Sequence, residues 1–198
     1  MKPKLTIILT FLSALIGHGQ AILYDQQSST DETPFAHAGY SIQDASPSGQ
    51  SFTPSLAGVD FVRLNLNDDN TTNGLGATLY LKLRQSNMGG TILGTTSPVT
   101  LTNGFAGPVS FFFPSTVALS PSQPYAFEVV VQSGDNWNAL AAEYFYDGGT
   151  SFYRGLPISG SDLWFREGVF VPEPATGVLF AMGSALLLRA RKRGVWGA

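Results

Sequence analysis

The chain has no cysteine. That excludes a disulfide framework, a thiolate metal site and a cysteine nucleophile, and it leaves the core alone to hold the fold. Histidine is nearly as scarce: of two in the chain, only His37 lies beyond the N-terminal segment. Zinc usually takes several His or Cys ligands, and no such set exists here. A Ser-His-acid triad would have to recruit His37, and no Gly-x-Ser-x-Gly elbow accompanies it. Basic charge is short as well. Residues 22 to 171 carry five basic against thirteen acidic side chains, a net charge of −8. Such a domain repels phosphates, which argues against nucleic acid as a partner. It also argues against an anionic polysaccharide bound through salt bridges, unless a cation mediates. Long apolar runs are missing from the interior and occur only at the two ends.

Those ends carry topological information. Lys2 and Lys4 precede an apolar stretch from Leu5 to Ile16, and small residues follow at Gly17, Gly19 and Ala21. This order predicts a secretory signal peptide over residues 1–21, cleaved after Ala21. At the other end stand Pro172, Glu173 and Pro174, then an uncharged run from Ala175 to Leu188, then Arg189, Arg191, Lys192 and Arg193. As a helix the run spans about 21 Å at ~1.5 Å per residue, short of a ~30 Å bilayer core. It can insert if its flanking arginines snorkel and the bilayer thins. The basic cluster then lies in the cytoplasm with residues 194–198, and everything before Val171 lies outside.

The three parts of this tail, over residues 171–193, resemble the PEP-CTERM sorting signal of exported bacterial proteins. The resemblance rests on Pro172, Glu173 and Pro174, the segment 175–188 and the arginine-rich end. It implies recognition and processing by an integral-membrane exosortase, a transient inner-membrane anchor, and a destination in the envelope, surface or exopolysaccharide matrix.

Between the ends the pattern is β throughout. Val62, Leu64 and Leu66 alternate with Phe61, Arg63 and Asn65, and Leu79, Leu81 and Leu83 alternate with Tyr80, Lys82 and Arg84. Both stretches, 59–67 and 78–85, read as half-buried antiparallel strands joined by the turn-rich loop Asn67–Gly76. Further strands are expected at 22–24, 50–53, 92–95, 109–113, 125–132, 139–146, 151–153 and 162–170. Tyr125, Phe127, Val129 and Val131 should form one core face, and Phe111 and Phe113 another, with Phe112 facing away. Pro114 and Pro121 are expected to bracket a connection, and residues 25–48 a long loop. Eight to ten strands in about 150 residues call for two packed sheets, so the fold expected for 22–170 is an all-β, jelly-roll-like sandwich. The succession Gly49–Pro54, Val117–Tyr125 and Leu163–Arg166 resembles secreted bacterial choice-of-anchor modules. That implies a carbohydrate-binding-like sandwich, and a shared fold does not fix a function.

Three constellations are candidates for chemistry. Trp137, Tyr144, Tyr146 and Asp147, close to Asn136, Asn138 and Tyr153, combine aromatic faces with polar groups, as sugar recognition requires. Asn67, Asp68 and Asp69 open a loop rich in the hard oxygen ligands calcium prefers, though the EF-hand glycine and closing glutamate are missing. A glycosidase-like carboxylate pair would have to come from Glu128, Glu143, Asp147 or Glu167. The expectation is an exported, cofactor-free, non-enzymatic protein that binds extracellular polysaccharide. An exported glycan-active enzyme and an unprocessed tail-anchored surface protein are the alternatives.

Overall fold

Thirteen strands form among the described residues, 20–32 and 39–172 of the computed structural model. They are β1 (Gln20–Gln27), β2 (Gly39–Ser41), β3 (Ser48–Phe52), β4 (Gly58–Asp68), β5 (Ala77–Gln85), β6 (Ile92–Thr95) and β7 (Val99–Leu101). The rest are β8 (Ala106–Ala118), β9 (Tyr125–Gly134), β10 (Trp137–Leu140), β11 (Ser151–Tyr153), β12 (Leu156–Ile158) and β13 (Phe165–Pro172). No helix occurs among the described residues. The signal peptide expected over 1–21 lies almost wholly outside them. So do His37, Glu173, Pro174, the segment 175–188, Arg189, Arg191, Lys192, Arg193 and the extension 194–198. Residues 22–170 form a compact unit of their own.

Two antiparallel sheets make up that unit. In the first, β1, β13, β4, β10 and β2 follow one another and β8 pairs with the far edge of β4. In the second the order is β12, β11, β3, β9, β5, β6, and β7 also pairs with β5. The inward sides supply the core. Val62, Leu64, Leu66, Phe111, Trp137 and Phe165 come from the first sheet, and Phe52, Leu79, Leu81, Leu83, Phe127 and Val129 from the second. Each of these twelve is at most 1 % exposed.

The period-two pattern placed β5, β8 and β9 correctly. β5 alternates buried and half-buried along its length, and Phe111 and Phe113 point inward while Phe112 is 44 % exposed. β4 departs from expectation, because it is buried on both sides. Phe61 and Asn65 face away from the core yet are 1 % and 2 % exposed. The rings of Tyr24, Phe112 and Phe170 cover Phe61. Further along, residues 29–32 lie over the sheet, where Glu32 takes Arg63 at 2.8 Å and Arg166 at 2.9 Å.

Other boundaries also need correction. Pro114 stands inside β8 rather than at a connection; β8 has a ladder partner on one side only, so a residue without an N–H is tolerated. Residues 25–48 are not one long loop. β1 runs on to Gln27, β2 and the start of β3 fall in the same stretch, and Ile42 and Ala45 are buried. Such three-residue strands are too short to show alternation. The strand expected over 139–146 begins at Trp137 and stops at Leu140.

Close strand approach is written into two glycines. A Cβ on Gly49 would lie 1.8 Å from the Phe127 carbonyl oxygen, and one on Gly168 2.0 Å from that of Leu23. The second contact seats β1 against β13, the strand from which the chain leaves the sandwich.

Candidate functional site

The expected sugar-binding group does not assemble as one surface. Trp137 is fully buried, with its ring 6.3 Å from that of Phe105. It has no face to offer a ligand and belongs to the core. The early end of β10 explains the rest. Bends at Glu143 and Tyr144 break the strand parity, so Tyr144 and Tyr146 do not share a face. Tyr144 is 64 % exposed and Phe145 74 %, and Asp147 is exposed beside them. Tyr146 turns inward, edge-on to Phe165 at 5.1 Å.

Tyr146 is the anchor of this loop. Its hydroxyl donates to Gln26 Oε1 at 2.8 Å and accepts from the Thr53 amide at 3.3 Å. Burial pushes its pKa up to about 12, with the carboxylates of Glu167, Asp25 and Asp162 adding to the shift. The Tyr146 amide donates to Asp162 Oδ2 at 3.0 Å, and Asp162 Oδ1 accepts from Gln50 Nε2 at 2.7 Å. Gln50 in turn accepts from the Leu163 amide at 2.9 Å. Because both partners of Asp162 are fixed, Tyr144 and Phe145 project from a pinned base. Gly149, Thr150, Pro157, Ser159 and Gly160 line an open groove of about 350 Å³ beside that base. Phe145 borders it near Gly160.

Glu167 is the least ordinary group in the molecule. It faces the core from β13, opposite Val62, and is 0 % exposed. Neither carboxylate oxygen accepts a hydrogen bond of good geometry. Burial, reinforced by the charge of Asp25 and by a hydrogen bond from the neutral carboxyl to it, raises its pKa to about 9. The Gln26 backbone N–H pulls weakly the other way. Glu167 is therefore a neutral acid at pH 7, able to donate to Asp25. Partial burial would raise Asp25 too, but donors from Ser55, Leu56 and Gln26 outweigh it and hold that carboxyl below its usual range. Asp25 accepts from the Ser55 and Leu56 amides at 2.8 and 2.9 Å, which ties β1 to the β3–β4 connection.

A glycosidase needs two carboxyls facing one opening, and Glu128 and Glu167 do not share one. Glu128 lies on the outer side of the second sheet, bound by Arg84 at 2.6 Å and Lys82 at 3.4 Å. Glu167 faces the core from the first sheet. Glu143 and Asp147 are exposed in the loop.

Two of the three calcium candidates are engaged by other groups of the protein. Asp68 accepts from the Asn70 amide at 2.9 Å and the Gly104 amide at 2.7 Å. Asp69 accepts from Asn138 Nδ2 at 2.9 Å. Asn67 Oδ1 is buried without a partner. Among the described residues no group of three His, Cys, Asp or Glu side chains converges as a metal site would. The nearby groove between Gly74, Thr100, Asn103 and Gly134 is larger, at about 560 Å³, but wide open and without charge.

Sequence reasoning missed Phe145 and the Asp25–Glu167 pair. Phe145 sat in an expected strand, where alternate residues face inward. The pair is made by β1 lying beside β13, a long-range contact that spacing along the chain does not reveal. Comparison with protein-family models and with curated proteins finds no match to this chain.

Proposed function

We propose that this is an exported, non-enzymatic protein of the bacterial envelope or exopolysaccharide matrix, sorted through a PEP-CTERM signal and processed by an exosortase-type membrane enzyme. Its cargo is a jelly-roll-like sandwich. Supporting that form, the successive long strands β1, β3, β4, β5, β8 and β9 change sheet at every step and end with β13 between β1 and β4. The signal peptide over 1–21 directs export and is cleaved, and the short segment 175–188 holds the protein at the inner membrane until processing.

One observation carries the sorting reading. β13 reaches Pro172, so the Pro-Glu-Pro motif starts within the last described strand and follows it directly in the chain. Two prolines keep Glu173 from joining a following helix. An extended backbone just outside the membrane is what a processing enzyme can reach. Replacing Pro172, Glu173 and Pro174 by alanine should leave a longer, membrane-bound form in the native host, detected by mass spectrometry of the envelope fraction. Normal shortening and release of that variant would refute the sorting reading.

For the cargo we assign Tyr144, Phe145 and Asp147, beside the groove at Gly149–Gly160, as the glycan-contacting surface. Exposed rings on a pinned loop can cover the apolar face of a pyranose while hydroxyl and carboxylate groups orient it. Glu167, whose pKa is raised, faces the core from β13, and no role in chemistry is assigned to it.

A further inference from the structure

The outer face of the first sheet changes character along its length. Toward the Asp68 end of β4 it is polar, with Asn65 and Asn67. Toward the Gly58 end it is aromatic. Phe61 and Phe112 pack at 6.4 Å, Phe61 and Phe170 at 5.6 Å, and Phe112 stacks on Phe170 at 5.7 Å. Tyr24 closes on Phe61 at 5.7 Å. Phe61 is the buried floor of this cluster, while Phe112 is 44 % exposed and Ile22 51 %. An outward sheet face normally carries polar side chains, as β5 of the second sheet does with Lys82 and Arg84.

This aromatic end is also where the chain departs. The Phe170 amide is fixed to Asp60 Oδ2 at 2.6 Å, β13 ends at Pro172, and the apolar run begins at Ala175. About 17 Å of fully extended chain separates Phe170 from Ala175 at ~3.4 Å per residue. Given the proposed insertion of residues 175–188, on which this inference rests, the cluster is tethered close to the bilayer surface.

We propose that Ile22, Tyr24, Phe112 and Phe170 form a membrane-contact face that settles into the lipid interface while the tail is inserted. Aromatic side chains favour that zone, with an apolar body and, for tyrosine, a polar tip. Zwitterionic lipid is the matching surface. The two arginines described on this sheet's outer side, Arg63 and Arg166, are both engaged by Glu32, so neither guanidinium is free for anionic headgroups. During processing such a face would hold the Pro-Glu-Pro segment at a constant height above the membrane.

The absence of cysteine makes the test clean. Phe112→Cys and, separately, Ile22→Cys are nitroxide-labelled in the chain carrying its tail, made in a host without the processing enzyme. The protein is reconstituted in phosphatidylcholine vesicles. A Thr71→Cys label, in the exposed loop beyond Asp68, is the aqueous reference. Labels at 112 and 22 should be several-fold more accessible to oxygen, relative to a water-soluble nickel chelate, than the label at 71. Equal ratios at all three positions, in protein that floats with the vesicles, overturn the contact face and leave the tail reading standing. Protein that does not float overturns both. Dipolar broadening between labels at 112 shows that a second copy covers the face, and contact seen only with anionic lipid shows that charge drives it. Either result overturns the proposal.

Discussion

Along β4 of the first sheet and β5 of the second, the outward sides obey different rules. On the second, Tyr80, Lys82 and Arg84 alternate with buried leucines, and the strand reads as amphipathic from sequence. On the first, β4 is buried on both sides because rings from β1, β8 and β13 close over Phe61. One face of a sheet can therefore be a second, smaller core, and strand alternation does not distinguish the two cases. Substitution does. Phe61→Ala should cost about 3–5 kcal/mol, as for a core aromatic. Tyr80→Ala, the equivalent outward position on the second sheet, should stay within about 1 kcal/mol. Urea denaturation of both variants measures the contrast, and equal costs would erase it.

Leu81→Ala probes the inner side that both sheets share. It is 0 % exposed, and removing it should cost about 2–5 kcal/mol by the same measurement. A cost near zero would break the register that puts Leu81 opposite Val129. This inner side was the legible part of the fold. Long strands with strict alternation declared their faces, so β5, β8 and β9 were found with the right residues inward. Less legible was whatever depended on chain crossings. β2, β7 and β12 are three residues each and too short to carry a period. Pro114 misled because an edge strand tolerates it. In the candidate site, Tyr144 was expected among the ligand-binding residues and is exposed, while Trp137, expected with it, is buried in the core. Its neighbours Asn136 and Asn138 are polar, but β10 directs the ring between the sheets.

Glu128 and Glu167 carry the comparison into electrostatics. Both are buried, at 6 % and 0 % exposure. Glu128 has cations on either side; Glu167 has another carboxyl. With a folded pKa of about 9 against an ordinary 4.5, Glu167 keeps its proton in the native state after the unfolded chain has lost it. Stability from this group is therefore greatest at acid pH. It falls as pH rises from about 4.5 towards 9 and levels off above, where both states are ionised. Glu167→Gln keeps the shape and a donor to Asp25 without the titration. The variant should match the parent at pH 4.5 and exceed it by on the order of 4 kcal/mol at pH 8. Thermal or urea unfolding at the two pH values checks it. An unchanged difference between them would mean that Glu167 is ionised and solvated in the native protein.

The smallest stability effects are expected at the surface that the glycan reading needs most. Tyr144 and Phe145 are 64 % and 74 % exposed, and the loop beneath them is held by Tyr146 and Asp162 rather than by their own rings. Tyr144→Ala and Phe145→Ala should each change stability by no more than about 0.5 kcal/mol. Affinity for a recognised neutral polysaccharide should nevertheless fall several-fold, because the lost ring was the stacking surface. Isothermal titration over a polysaccharide panel, paired with unfolding curves, reads both quantities from the same preparation. Stability loss without a binding change would mean that the rings pack against the sandwich. Unchanged binding and unchanged stability would remove the loop from glycan recognition and leave an exposed aromatic pair for a protein partner to cover. Only a binding loss at constant stability separates Tyr144 and Phe145 from Trp137, which lies a few residues earlier in the chain and wholly inside the core.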